Sequence, residues 1–128
     1  MRSGFRNVFR AIAVAGAAAC VGAAIAAASP SATQTGATTR VTVNMVDFRF
    51  RLSQKTVHKG IVVFTVVNKG KVPHTFEIQR LRRITPLLQS GQRATLRVSF
   101  KKTGRYYYLC TVDNHVLYGM TGYLRVIA

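Results

Sequence analysis

Three side chains with metal-binding donor atoms lie at equal intervals near the end of the chain. Cys110, His115 and Met120 supply a thiol, an imidazole and a thioether, and four residues separate each one from the next. Cys110 ends a predicted strand, residues 106–110, so the direction of its side chain is fixed. The spacers are long enough to turn His115 and Met120 back toward the same point. We therefore expect this loop to hold one metal ion.

The donor types indicate which metal this is. Thiolate and thioether ligands are preferred by copper, and two His plus one Cys with a weak axial Met form the blue-copper arrangement. The second imidazole must be His58 or His74. His74 follows Pro73, which fixes the backbone, whereas His58 lies in a predicted solvated turn, residues 57–60. The predicted metal ligands are therefore His74, Cys110, His115 and Met120, with His58 outside the site.

Residues 1–28 have the pattern of a secretory signal peptide, with a basic start, an apolar stretch and a small-residue cleavage signal. We expect cleavage after Ala28 and export to the periplasm or another extracytoplasmic compartment. Two alternatives remain open, an uncleaved membrane anchor and lipid attachment at Cys20. Both rank lower, because an Ala-rich and Gly-rich segment gains little in lipid and the residues after Cys20 stay apolar.

Cleavage would leave Cys110 as the only cysteine, so an internal disulfide is excluded. An unpaired exported thiol is either a small buried apolar group or a thiolate bound to a metal.

The remaining chain is strongly basic. Three of the 19 Lys and Arg residues lie in the signal segment, which leaves 16 against three acidic residues and a net charge of about +13. Such a field attracts an acidic redox partner or an anionic membrane surface. The basic residues are scattered and form no binding motif, so we expect no nucleic-acid partner. We expect a monomer.

From residue 40 onward the sequence shows strand-like patterns. Apolar residues alternate or form short runs bounded by Gly, Asn or Pro, without helical spacing. This predicts an all-β Greek-key sandwich of about seven to eight strands in residues 40–128, after a flexible linker, residues 29–39. An up-and-down barrel is the alternative. A reversal of the alternation predicts a bend at residues 46–47, and residues 80–89 are predicted as a loop with one helical turn.

The chain resembles the cupredoxin family of type 1 blue copper proteins over residues 40–128. The equal spacers of the ligand loop resemble those of rusticyanin-like members more than those of plastocyanin. The matching motifs are Asn68, Gly70 and His74, then Gly104, Tyr106, Tyr108 and Cys110, then His115, Gly119, Met120 and Gly122.

The resemblance implies that His74, Cys110 and His115 are equatorial ligands of one type 1 copper ion and that Met120 is the axial ligand. It implies that Tyr106 forms a tyrosine corner. It also implies that backbone amides near Thr75 and Thr111 stabilise the thiolate.

This chain departs from the family pattern at three positions. Asn114 precedes His115 where many relatives have Gly, and Asn tolerates left-handed φ. Asp113 brings an acid near the metal, which favours Cu(II) and lowers the reduction potential. Leu109 replaces an aromatic residue beside the cysteine, so we expect no second electron route there.

The function that follows is an electron carrier, not an enzyme. We expect His115 to reach an apolar docking face with Val116, Leu117 and Tyr118. The alternative is a protein for copper storage or delivery, which one compact ligand set disfavours. An oxidase or reductase would need further His ligands, and only His58 is left. A metal-free interaction domain would be expected to lack one or more of the ligands.

Overall fold

Residues 36–128 form nine β-strands, most of which show alternation of apolar and polar residues, while the fourth strand is a nearly continuous apolar run. The computed structural model describes residues 36–128, so the predictions for the signal segment and for most of the linker lie outside the described residues. In chain order the strands are β1 (Thr39–Val46), β2 (Arg49–Leu52), β3 (Thr56–His58), β4 (Gly60–Asn68), β5 (Glu77–Ile78), β6 (Arg83–Ile84), β7 (Arg93–Phe100), β8 (Gly104–Leu109) and β9 (Thr121–Ile127). Within residues 36–128, no helix is long and apolar enough to cross a membrane.

The strands form two mixed sheets. The first has the order β2-β1-β4-β7 and the second β3-β9-β8-β5-β6. β1 pairs in parallel with β4, and β3 pairs in parallel with β9, while the other pairs are antiparallel. The predicted all-β sandwich is confirmed, and the barrel alternative is wrong because the strands are divided between two sheets.

Two local predictions were wrong. The strand predicted for residues 75–79 is only β5, because the chain turns into a 3-10 helix at Gln79–Leu81. That helix is the one helical turn predicted for residues 80–89, placed slightly earlier. The turn predicted for residues 57–60 begins too early, because Val57 and His58 pair with β9 as part of β3. The reversal follows at Gly60, where φ is +126°.

The core lies between the two sheets and is rich in aromatic rings. Phe76 lies 5.4 Å from Phe50, 5.5 Å from Phe64 and 5.5 Å from Tyr108, measured between ring centroids. Full burial of such a side chain contributes about 1.5–3 kcal/mol relative to exposure. Cys110 is fully buried in this cluster, so the core fixes one of the predicted ligands.

The bend predicted at residues 46–47 is the turn of the β1–β2 hairpin. Val46 pairs with Arg49, so Asp47 and Phe48 form a two-residue connection. Phe48 has a φ of +60°, an unfavourable conformation for a residue with a side chain. Because β1 and β4 are parallel, this turn lies beside the loop that follows β4 and leads to His74.

Candidate metal centre

The loop that carries His74 is organised by a buried asparagine. The Asn68 side chain donates to the carbonyls of Val72 and Leu88, both at 2.8 Å, and its oxygen accepts the Gly70 N–H at 2.9 Å. A two-way pair of backbone hydrogen bonds, 3.0 and 2.9 Å long, joins His74 to Leu88. These bonds hold the His74 backbone in place, and its imidazole is fully buried.

The second ligand loop runs from Cys110 to Met120 and is closed by backbone hydrogen bonds. The Met120 N–H donates to the His115 carbonyl at 3.0 Å, and the Cys110 N–H donates to the Met120 carbonyl at 3.1 Å. Asn114 has a φ of +39°, so the predicted tolerance of this position for a left-handed backbone is confirmed. Gly119, with a φ of +96°, makes the turn into the fully buried Met120.

The two loops bring three donor atoms together. The distance between the Nδ1 atoms of His74 and His115 is 3.1 Å, and Cys110 Sγ lies 3.9 and 3.5 Å from them, respectively. Metal bonds of about 2.0–2.1 Å to nitrogen and about 2.3 Å to thiolate sulfur, in a trigonal arrangement, require donor separations of roughly 3.5–3.8 Å. The observed separations lie within about 0.4 Å of this range, so the three side chains fit one metal ion with small side-chain shifts and without rearrangement of either loop. Met120, at the end of the second loop, is fully buried.

Thr75 connects the two ligand loops. Its backbone N–H donates to Cys110 Sγ at 3.4 Å. Its hydroxyl accepts the Thr111 N–H at 2.8 Å and bonds the Thr111 hydroxyl at 2.8 Å. Thr75 thus holds the thiol directly, whereas the amide of Thr111 is used by the threonine hydroxyl and not by the sulfur.

Asp47 contacts the outer nitrogen of His74, a role that the sequence did not indicate. Its Oδ1 lies 3.4 Å from His74 Nε2 and accepts the Lys71 N–H at 2.8 Å. That hydrogen bond from Lys71 is the main reason why the pKa of Asp47 lies below its ordinary value. Burial lowers the pKa of His74, and Asp47 opposes part of this effect. The net lowering favours the neutral form of His74, which is the form that binds metals.

Gly70 explains how Asp47 can come so close. A Cβ atom at Gly70 would overlap Asp47 Oδ1 and would lie 3.1 Å from His74 Nε2. The φ of Gly70 is not positive, so a glycine is needed here for the close approach of Asp47 and not for a left-handed backbone. The only signal in the sequence was an acidic residue in a predicted bend, which by itself indicates no contact with an imidazole.

The remaining predicted residues are placed as follows. The Nδ1 atom of His58 contacts the Ala128 carbonyl, away from the other two histidines. Tyr106 donates from its hydroxyl to the Lys102 carbonyl at 2.8 Å, so the tyrosine corner is confirmed. Asp113 is exposed on the ligand loop, and its effect on the potential stays a prediction.

An exposed apolar patch surrounds His115. It consists of Phe48, Val72, Val116, Leu117 and Tyr118, of which Leu117 is 81% exposed. The Phe48 ring meets His115 edge-on at 5.0 Å and Tyr118 at 4.9 Å. Phe48 and Val72 extend the predicted face beyond the ligand loop.

Comparisons with known proteins agree with this fold. Auracyanin from Roseiflexus castenholzii has 18% identity and a TM-score of 0.59, and the match covers 73% of this chain and all of that one. Auracyanin A, a "blue" copper protein from Chloroflexus aurantiacus, has 14% identity and a TM-score of 0.56 over 71% of this chain and all of that one. The blue copper oxidase from Nitrosomonas europaea has 20% identity and a TM-score of 0.56, over 70% of this chain but 39% of its own. No curated protein sequence matches the chain.

The sequence model of the cupredoxin-like domain matches residues 17–122. The matched range extends N-terminally of β1 into residues that the structure does not describe. Together with the His, Cys and His donors that meet between the loops, this match identifies the cofactor as one type 1 copper ion. The chain belongs to the cupredoxin family.

Proposed function

We propose that this protein is an exported one-electron carrier. A copper ion would be held by Nδ1 of His74, Nδ1 of His115 and Sγ of Cys110, with the Met120 thioether as a fourth, weaker ligand. The observation that carries the proposal is the convergence of the three donor atoms, which all lie within 4.8 Å of one another.

Hydrogen bonds within the protein hold these donors in one arrangement before a metal ion binds. The backbone bonds between His74 and Leu88 and between Met120 and His115 restrict both loops. His74, Cys110 and Met120 are fully buried, so water has no direct approach from their side. A bound copper ion would supply the exchange of one electron between Cu(I) and Cu(II). A fixed donor set favours this exchange because little has to move when the charge changes.

The patch around His115 supports a docking role. His115 is the partly exposed histidine of the pair, and its ring packs against Phe48 within the patch. Exposed basic residues adjoin the patch in the chain, Arg49 beside Phe48 and Lys71 beside Val72. A small apolar contact with basic neighbours favours brief, electrostatically steered encounters with an acidic redox protein. We propose that the electron enters and leaves through the His115 edge.

The number of histidines supports a carrier rather than an oxidase or reductase. The whole chain contains three, and two of them belong to the proposed centre. The third, His58, bonds the Ala128 carbonyl. A second copper centre that binds substrate would require several imidazoles that this chain does not supply.

Visible spectroscopy of the copper-loaded protein tests the ligand assignment. We expect an intense thiolate-to-copper band that Cys110→Ser abolishes and that His58→Asn, the matched control, retains. Met120→Leu should keep the band and shift the reduction potential, as expected for an axial ligand. A Cys110→Ser protein with the wild-type band would contradict the assignment.

Voltammetry separates the carrier from the storage or delivery alternative. A carrier retains copper in both oxidation states and gives a reversible one-electron wave. Release of copper to a chelator upon reduction, at a rate that exceeds release from the oxidised form by orders of magnitude, would favour delivery and contradict the carrier role.

A further inference from the structure

The β1–β2 turn, Asp47 and Phe48, touches both histidines of the metal centre. Asp47 Oδ1 lies 3.4 Å from Nε2 of His74, and the Phe48 ring lies edge-on to the His115 ring at 5.0 Å. In each case the contact is made by a residue of the first sheet's hairpin, which supplies no donor atom to the site. The turn is therefore placed to orient the rings rather than to bind the metal.

We propose that Asp47 is a positioning residue for the copper centre: its carboxylate accepts the Nε2–H of His74 and so directs Nδ1 toward Cys110. The proposal rests on the proposed role of His74 as a copper ligand. Ligand histidines commonly give their second N–H to a carboxylate, which fixes the ring orientation and raises the basicity of the ligating nitrogen.

The surroundings of Asp47 are built for this contact. The same Oδ1 atom accepts the N–H groups of Lys71 at 2.8 Å and of Val72 at 3.4 Å, so the loop that carries His74 holds the carboxylate in place. Gly70 leaves the space for it, since a Cβ there would overlap Oδ1. Two backbone N–H groups of the His74 loop and the His74 imidazole thus converge on one carboxylate oxygen, which the hairpin turn supplies.

The backbone conformation of the β1–β2 turn also supports the proposed role of Asp47. Phe48 has a φ of +60°, in the left-handed region that residues with a Cβ avoid. A conformation of this kind persists where the surrounding contacts require it, and such residues cluster at functional sites. Here the turn places the exposed Asp47 carboxylate against Nε2 of His74 and the Phe48 ring against the ring of His115.

A negative group at Nε2 has a defined effect on the bound ion. It stabilises the higher charge of Cu(II) more than that of Cu(I). Loss of the carboxylate should therefore weaken Cu(II) binding by about 10–100-fold, the usual effect of removing such a partner. If Cu(I) affinity changes less, each tenfold difference raises the reduction potential by about 59 mV.

The test compares Asp47→Ala and Asp47→Asn with the matched controls Glu77→Ala and Glu77→Gln, which remove a carboxylate from β5 and leave the sequence of both ligand loops unchanged. Nitrogen NMR of the copper-free proteins reports the protonated ring nitrogen of His74. We expect Nε2–H in wild type, in Asp47→Asn, whose amide oxygen still accepts, and in both Glu77 variants. In Asp47→Ala we expect a mixture of tautomers.

Cu(II) affinity and the reduction potential are then measured on the loaded proteins. We expect Asp47→Ala to lose Cu(II) affinity by about 10–100-fold and Asp47→Asn to lose less, with a raised potential in both. If Asp47→Ala does not fold, Asp47→Asn must still bind Cu(II) more weakly than Glu77→Gln.

Two results would overturn the proposal. If Asp47→Ala keeps the Nε2–H tautomer and binds Cu(II) as tightly as Glu77→Ala, Asp47 has no positioning role, while the wild-type copper band leaves the proposed function intact. If wild type itself shows no thiolate-to-copper band, the proposed function fails and this proposal fails with it.

Discussion

Replacement of Thr75 by Val tests whether the two ligand loops are joined by one hydroxyl group. The change keeps the shape of the side chain and removes an oxygen that accepts the Thr111 N–H at 2.8 Å and bonds the Thr111 hydroxyl at 2.8 Å. The same hydroxyl lies 3.8 Å from Cys110 Sγ, and this longer contact is lost as well. The bond from the Thr75 backbone N–H to Cys110 Sγ, at 3.4 Å, stays available. We therefore expect the copper band to persist while copper becomes easier to lose.

Thr85→Val is the matched control. Thr85 is also buried, and its hydroxyl accepts a backbone N–H, that of Phe76 at 3.1 Å, but it touches neither ligand loop. Loss of a partner that leaves a donor unpaired costs about 1–3 kcal/mol. Phe76 is fully buried, so the stability loss of Thr85→Val should lie near the upper end of this range. Thr111 is exposed and water can replace part of the lost bond, so the stability loss of Thr75→Val should lie near the lower end.

Two measurements separate the effects of these variants. Thermal unfolding of the copper-free proteins gives stability, and each kcal/mol should lower Tm by about 4–8 °C in a domain of this size. Competition with a chelator gives the rate of copper loss. If the Thr75 hydroxyl stabilises the joined arrangement of the two loops by about 1–2 kcal/mol, Thr75→Val should lose copper about 5–30-fold faster than wild type. Thr85→Val should lose it at the wild-type rate. Equal rates in the two variants would refute the role of the hydroxyl.

Three further predictions concern other parts of the protein. Tyr106→Phe removes the hydrogen bond to the Lys102 carbonyl and should lower the free energy of unfolding by about 0.5–1.5 kcal/mol in urea titrations, with the copper band unchanged; no loss would remove the tyrosine corner as a stabilising contact. Burial lowers the pKa of His74 from its ordinary 6.5, so the unfolded chain binds the proton more readily and the copper-free protein should lose stability as the pH falls below 6.5. The lowered pKa of Asp47 adds a further loss of stability only below pH 3.8, its ordinary pKa. The variant His74→Gln should remove the loss that begins at pH 6.5 and keep the one that begins at pH 3.8. The rate of electron transfer to an acidic redox protein should fall as the salt concentration rises. A rate that does not change with salt would contradict electrostatic steering by the basic surface.

Much of the metal centre could be predicted from the sequence because its determinants are local. Cys110, His115 and Met120 belong to one loop, and their donor types restrict the metal. His74 was chosen from two candidates by its neighbour Pro73 and by the predicted strand and turn before it. The alternating pattern of residues such as Val41, Val43 and Met45 was enough for the all-β class, because side-chain direction in a strand has a period of two.

Short strands were predicted less well because neighbours in space decide them. Residues 75–79 have a strand-like composition, yet only Glu77 and Ile78 pair with β8. Val57 and His58 were predicted as part of a turn, but they form a strand because β9 lies alongside. Pairing of this kind depends on register across the sheet, which short segments specify weakly.

The contacts that position the ligands could be decided only by the tertiary structure. Asp47 meets His74 across 27 residues, and Thr75 meets Thr111 across 36. Each contact requires the parallel pairing of β1 with β4 or the approach of the two ligand loops, and no local pattern encodes either. The sequence by itself determined which atoms can bind copper, since donor chemistry belongs to the residue. The fold decided how those atoms are aimed, because orientation comes from hydrogen bonds between distant segments.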